Sequence, residues 1–421
     1  ANMNSYGALL SSAQIQRGVG SSTNGDGAFG GSISLATLTP QTTPSLELTG
    51  SYGSLNTMNV GMNFSTGLLW DHLIFDGAYH ETNTDGYIHN TNGRSGSYYG
   101  SLTWLGDNFT LRYRNVGNFE KMGQAWSGVT TGNNDATIYG NGVNSYKDMY
   151  DKGLGKFNPL TEYLVFDDDS YEFVKDANGN YQTKRYTMRD GGYWDKTTDN
   201  FYQNHNILSA SWKPASRWTH NVTLHYTYGY GYYNELKPDA KLAPKFGINE
   251  TYMKGDELKY TKSDVVRQKG LTQNAYGAIY NVNYKDDSWD VIGGFNMQQF
   301  RCNHWGYVTY IADEAIERKY LVNGQKYKYY DSDASKNDYS AFVKADYRFA
   351  DHWNLFTDLQ MRYVNYHTDG INDRFISDAA GKYTNHRINV NENYFFVNPK
   401  AGISFTDNGH KAYASLAYSN R

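Results

Sequence analysis

Cysteine is almost missing from this chain. Cys302 is the one example in 421 residues, so no disulfide can form within it, and no Cys-x-x-Cys or Cys/His neighbourhood marks a structural zinc site. Charge is sparse and nearly balanced, at 19% charged residues and a net −4. That leaves no basic footprint for DNA or RNA, and nucleic acid is not expected as a partner. Long apolar runs are missing too: Gly67-Leu68-Leu69-Trp70, for example, ends at Asp71, far short of the roughly 18 residues a membrane helix needs. Straight-chain helix formers are few and prolines number only 7, a balance that argues against an all-helical fold and leaves extended segments uninterrupted. No positively charged stretch followed by an apolar one opens the chain, which reads as a mature or excised piece without a signal peptide.

What the chain has instead is tyrosine and glycine, 40 and 42 residues, with 16% aromatics overall. These are residues of strands and tight turns. Period-two alternation dominates. From Trp218 to Tyr228 the even positions are Trp218, His220, Val222, Leu224, Tyr226 and Tyr228, while Thr219, Asn221, Thr223, His225 and Thr227 fill the odd ones. The pattern returns around Ala341, Val343 and Ala345 against Lys344 and Asp346, and in Leu355 and Leu359 against Asp358. About thirteen such segments of roughly 9 to 13 residues can be counted, longer than the usual globular strand. Their connections alternate between tiny turns, such as Ala350 to His352 and Thr406 to Gly409, and long links such as Gly229 to Thr272. Trp212, Trp218, Trp289 and Trp353 sit at segment ends. Strand length, alternating loops and terminal aromatic girdles together predict an all-β, antiparallel transmembrane barrel.

Near the start, Gly25, Gly27 and Gly30 spell a literal G-x-G-x-x-G. A dinucleotide site would need a helix to begin there, whereas Ser32 to Thr37 continues as an alternating strand. The same segment, Ile15-Gln16-Arg17-Gly18, the loop Val19 to Phe29, and Gly30-Gly31-Ser32-Ile33, resembles the end of the plug domain in TonB-dependent outer-membrane receptors. Asp85-Gly86-Tyr87, Gln124 to Gly128, Asn158-Pro159, Thr198 to His205, Tyr230 to Tyr233 and Ser419 to Arg421 are similar to the Bacteroidetes-type iron-complex and siderophore receptors in particular. The resemblance spans essentially the whole chain. It implies a 22-stranded barrel filled by a plug, of which residues 1–40 are the end of the plug and 41–421 the first part of the barrel. Most of the plug and the last barrel strands are then missing, along with the N-terminal part through which the TonB complex would act. The implied activity is active import of a ferric siderophore or related chelate across the outer membrane of a Gram-negative bacterium. No cofactor and no enzymatic step are implied.

The resemblance places the third plug apex on Ser22 to Asp26, so Thr23, Asn24 and Asp26 are expected ligand contacts. Arg112 and Arg114 share the non-lipid face of one strand by parity; they would meet an anionic chelate or pair with plug carboxylates. Tyr230, Tyr232 and Tyr233 offer rigid amphipathic rings at a barrel mouth, with girdle or loop packing as the alternative. Asp167-Asp168-Asp169 lacks the alternating spacing of a dedicated Ca²⁺ loop. No HExxH or GxSxG occurs among the 11 His and the serines, so metal and triad catalysis find no support. Three other readings stand beside siderophore import: a cobalamin or haem ligand, a passive porin or barrel enzyme, and a secreted Tyr-rich adhesin. The plug-like segment argues against the porin, and lipid-facing parity against the adhesin.

Overall fold

In the computed structural model, described over residues 3–17, 31–129 and 143–418, a short hairpin precedes one large sheet. The hairpin follows a 3-10 turn at Met3–Leu9 and pairs β1 (Leu10–Arg17) with β2 (Gly31–Thr37) antiparallel. No helix begins at the end of the glycine motif; the chain goes directly into β2.

The sheet contains β3 (Pro44–Gly53), β4 (Thr57–Thr66), β5 (Leu73–Thr84), β6 (Gly93–Leu105), β7 (Phe109–Gly123), β8 (Thr198–Ala215) and β9 (Trp218–Lys241). It continues through β10 (Lys262–Lys285), β11 (Trp289–Ile311), β12 (Tyr327–Phe349), β13 (Trp353–Ser377), β14 (Tyr383–Asp407) and β15 (His410–Ala417). These 13 strands run in strict sequence order, each after the first pairing antiparallel with the one before it, and the sheet is open between β3 and β15. No described helix is long and apolar enough to cross a membrane. The architecture is the expected antiparallel barrel wall.

One end of the sheet is closed by tight turns. Asn408 and Gly409, the two residues between paired Asp407 and His410, have φ of 44° and 81°, the two successive positive values a two-residue hairpin needs to match strand twist; Ala350 and Asp351, at 49° and 52°, open a three-residue turn between paired Phe349 and Trp353. At the other end lie α1 (Tyr146–Asp151), α2 (Leu242–Phe246), α3 (Glu314–Tyr320) and a small hairpin of residues 251–260.

Strand length departs from expectation. β3 to β7 run 10 to 15 residues, but β8 to β14 run 18 to 25. Segments expected as loops are strand: Tyr230 to Glu235 pair with Thr272 to Arg267 without interruption. Beyond the lipid both faces of a strand are wet, so the apolar alternation disappears while the backbone ladder goes on.

Sidedness follows the sequence. We call inner the face on which the hairpin packs, and parity carries it across the sheet through the registers. Val222, Leu224, Val343, Leu355 and Leu359 are exposed on the outer face, the surface a transmembrane barrel turns to lipid. Arg112, Arg114, Thr223, Lys344, Asp346 and Asp358 are on the inner face. Asp358 is 3% exposed and 3.9 Å from Lys400.

Candidate functional site

The hairpin is tied to the inner face of β5 to β8. Leu9 is fully buried against Ala78, Tyr99 and Val116, which fill the inner positions of three adjacent strands. Tyr6 donates its hydroxyl to Asn118 Oδ1 at 2.7 Å and lies 3.1 Å from His205 Nε2. Where the hairpin ends, Leu38 N donates to Leu9 O, and the Leu38 carbonyl accepts from Arg112 Nη2 at 2.6 Å and from the Tyr99 hydroxyl. Arg114 donates to Thr37 Oγ1 and Ser209 Oγ. The two arginines therefore grip a backbone carbonyl and hydroxyls of the hairpin and wall, and neither expected carboxylate partner is present among their described contacts. Below them Gln41 N points to Asp76 Oδ1, and Ser65 Oγ donates to the Gln41 carbonyl, fixing the path from hairpin to sheet. Thr23, Asn24 and Asp26 lie outside the described residues, as does the Arg17 side chain.

Tyr230, Tyr232 and Tyr233 do not share a face. Alternation turns Tyr230 and Tyr232 outward, where their rings meet Trp305 at 6.3 Å, and Tyr233 inward. There Tyr233 joins a rim of groups that the sequence did not single out. Its ring stands edge-on to Trp126, 5.5 Å away. Arg267 Nε and Nη2 bind Glu235 Oε2 at 2.9 and 2.7 Å, and Glu235 is 3% exposed. Lys269 Nζ binds Asp373 Oδ2 at 2.6 Å and sits 5.4 Å over the Tyr330 ring. Burial raises the Tyr233 phenol, against the pull of Arg267. Burial also pushes the Asp373 carboxyl up, but the Lys269 ammonium outweighs it and holds the group below its ordinary range. Asp199, across from Tyr233, is raised by burial. The rim thus offers aromatic faces, phenols and compensated cations, a surface for a polar ligand with aromatic parts.

The rim is held firmly. Leu242, Phe246 and Ile248 pack with Val265, Val308, Ile311 and Tyr329 into a buried core. At Gly247, φ is 68° and an added Cβ would stand 2.4 Å from the Phe375 ring, so β13 is locked over the end of α2. Asn249 Nδ2 donates to Tyr383 O, and Asn249 Oδ1 accepts from Tyr383 N. The motifs singled out in sequence work here as ties. Asn158 is fully buried and donates to His89 O and Gln124 O; Asp85 accepts from Asn56; Tyr87 donates to Tyr150. Asp167 caps its own turn, accepting from Asp169 N and Ser170 Oγ, contacts that hold its carboxyl below the usual range. Among the described residues no cluster of three or more His, Cys, Asp or Glu could hold a metal.

No protein-family model matches the sequence, and no curated protein does. Solved structures do match in fold. The siderophore receptor PiuA from Acinetobacter baumannii superposes with a TM-score of 0.63 at 14% identity, over 97% of this chain and 54% of that one. The ferripyoverdine receptor of the outer membrane of Pseudomonas aeruginosa gives 0.61 at 13%, over 97% and 46%. The ferric-catecholate import receptor Fiu from E. coli K12 gives 0.58 at 11%, over 96% and 59%. The chain spans about half the length of these neighbours. In fold the chain matches part of these receptor barrels, with a hairpin attached to the inner face of the wall.

Proposed function

We propose that the chain belongs to a TonB-dependent receptor that imports a ferric siderophore or related metal chelate across a Gram-negative outer membrane. The observation that carries this reading is the hairpin fastened to the inner wall through Leu9, Leu38, Arg112 and Tyr99. A segment fastened to the inner wall fits a plugged barrel better than an open water-filled channel. Residues 1–40 serve as the end of the plug and 41–421 as wall and long loops. The ligand enters from the long-loop end and meets Tyr233, Lys269 and the Trp126 ring on the wall side, with Thr23, Asn24 and Asp26 on the plug side. The chain makes and breaks no bond; force on the plug, supplied through TonB, opens the path. A strain lacking the full-length receptor should lose uptake of radioactive iron presented as one or more chelates, and regain it only with TonB present. Equal uptake with and without TonB would sink the proposal in favour of passive diffusion.

A further inference from the structure

The first strands of the sheet carry a polar stripe on their inner side. Ser45 and Glu47 on β3 stand opposite Ser65 and Asn63 on β4, and these stand opposite Asp76 and Ala78 on β5. Ala78 packs under Leu9, so the stripe faces inward. Leu46 and Leu48 take the alternate positions and are exposed on the outer face. The linker that leaves the hairpin, residues 38–41, meets the stripe, and between them lies a cavity of about 300 Å³. Two carboxylates, Asp76 and Glu47, line it, and no described lysine or arginine does.

Asp76 stands out among these groups. It is 5% exposed, yet its Oδ2 accepts no hydrogen bond from any described group, and Oδ1 has a long 3.4 Å contact from Gln41 N. The neighbours that could help are engaged elsewhere. Ser65 Oγ donates to Gln41 O and accepts from Gly67 N. Ser101, opposite Asp76 on β6, accepts from Arg112 Nε, while Arg112 Nη2 goes to Leu38 O and the Tyr99 hydroxyl. His80 Nε2 lies 2.9 Å from Asn63 Oδ1, and Glu47 accepts from Asn63 Nδ2. A carboxylate buried without a donor has given up the hydration of its charge with nothing in return. The charge that balances it must come from something small enough for the cavity. Glu47 and Asp76 have β4 between them, two strand spacings or about 9.5 Å, too far for both to touch one bare ion. No cluster of three or more described His, Cys, Asp or Glu completes a direct cage either. An ion that keeps several waters and is held through one or two carboxylates fits both facts, and that is how Mg²⁺ binds. We propose that this cavity holds a hydrated divalent cation, which bridges Asp76 and Glu47 and clamps the linker of residues 38–41 to the wall.

The inference concerns how the hairpin is anchored and its test uses no chelate, so it and the import reading can fail separately. The full-length receptor, purified in detergent free of lipopolysaccharide and stripped with EDTA, is titrated with Mn²⁺ as a spectroscopic stand-in for Mg²⁺, and the EPR signal of the free ion is followed. Asp76→Asn should weaken binding about tenfold and Glu47→Gln about threefold, while Asp346→Asn, which removes an inner carboxylate paired with Lys344, should change it less than about twofold. Mg²⁺ should compete for the same site. It should also slow hydrogen exchange at residues 38–43 in the wild type and not in Asp76→Asn. Heat-modifiable migration on gels confirms that each variant folds, and Glu47→Gln keeps the test alive if Asp76→Asn does not. No bound Mn²⁺ in the wild type, unchanged binding in both cavity variants, or an equal loss in Asp346→Asn would overturn the site. The same slowing of exchange by Na⁺ at equal ionic strength would overturn the divalent ion, and binding without slower exchange would overturn the clamp.

Discussion

The lower and upper halves of the long strands share one hydrogen-bonded ladder and almost nothing else. Near the tight turns, β9 alternates Trp218, Val222 and Leu224 with Thr219, Thr223 and His225. Twelve residues on, the same strand reads Tyr230-Gly231-Tyr232-Tyr233-Asn234-Glu235, and its pairing with β10 has not changed. Lipid on one side and a polar bore on the other impose alternation; water on both sides imposes none. The upper half is held by other means, a core under α2 and α3 and ion pairs between strands. Backbone pairing and side-chain patterning are therefore separate forces, and only the second leaves a mark in the sequence.

The largest expected effect tests that boundary. Arginine at Leu224, on the lipid face, should cost about 2 to 4 kcal/mol in a reconstituted barrel, while arginine at Asn389, on the outer face of the upper half, should cost about 0 to 0.5 kcal/mol. Urea unfolding in vesicles reads both, and equal costs would erase the boundary. Next comes the upper core: Gly247→Ala forces a side chain into a left-handed backbone and against Phe375, a strain of about 1 to 3 kcal/mol. Hydrogen exchange should rise in residues 242–248 and 372–385 and stay level below Tyr226; a uniform rise would mean the halves are not independent. Arg112→Ala should free the Leu38 carbonyl at a cost of about 1 to 3 kcal/mol, seen as faster exchange at Leu38 with the wall strands unaltered. No change there would show that Tyr99, with the Leu9, Tyr6 and Arg114 contacts, holds the hairpin without Arg112. The smallest effect concerns Cys302. Burial and the neighbouring Asp333 push its thiol up to about 11, so at pH 7.5 it should react with maleimide about a hundredfold slower than an exposed cysteine. Labelling at the ordinary rate would place it in open solvent.

Sequence reading reached furthest where the environment was two-sided. The meander, the short turns and the inner placement of Arg112 and Arg114 all follow from alternation and from the lengths of the connections. It failed over Glu235, Arg267, Lys269 and Asp373, because Lys269 and Asp373 are 104 residues apart in sequence and no local spacing links them. It also grouped Tyr230, Tyr232 and Tyr233 as neighbours, although parity sends the first two and the third to opposite faces. Only the continuation of the strand past Gly229 reveals that, and nothing apolar announces it. The motifs that pointed to receptor likeness, Asp85-Gly86 and Asn158-Pro159, turned out to be ties within the loops.

The strict order of the wall has a consequence for how such a molecule is made. Each of the 13 strands after the first finds its partner in the strand just before it in sequence, so the sheet can lengthen one hairpin at a time, each addition closing a loop only as long as its own connection. The slowest additions should be those with the longest connections, above all β8, which must find β7 across residues 124–197, because the entropy of closure grows with the length closed. Growth would therefore pause once, at the β7 edge, and that pause is when the hairpin carrying Leu9 and Leu38 has an exposed, half-built wall on which to settle.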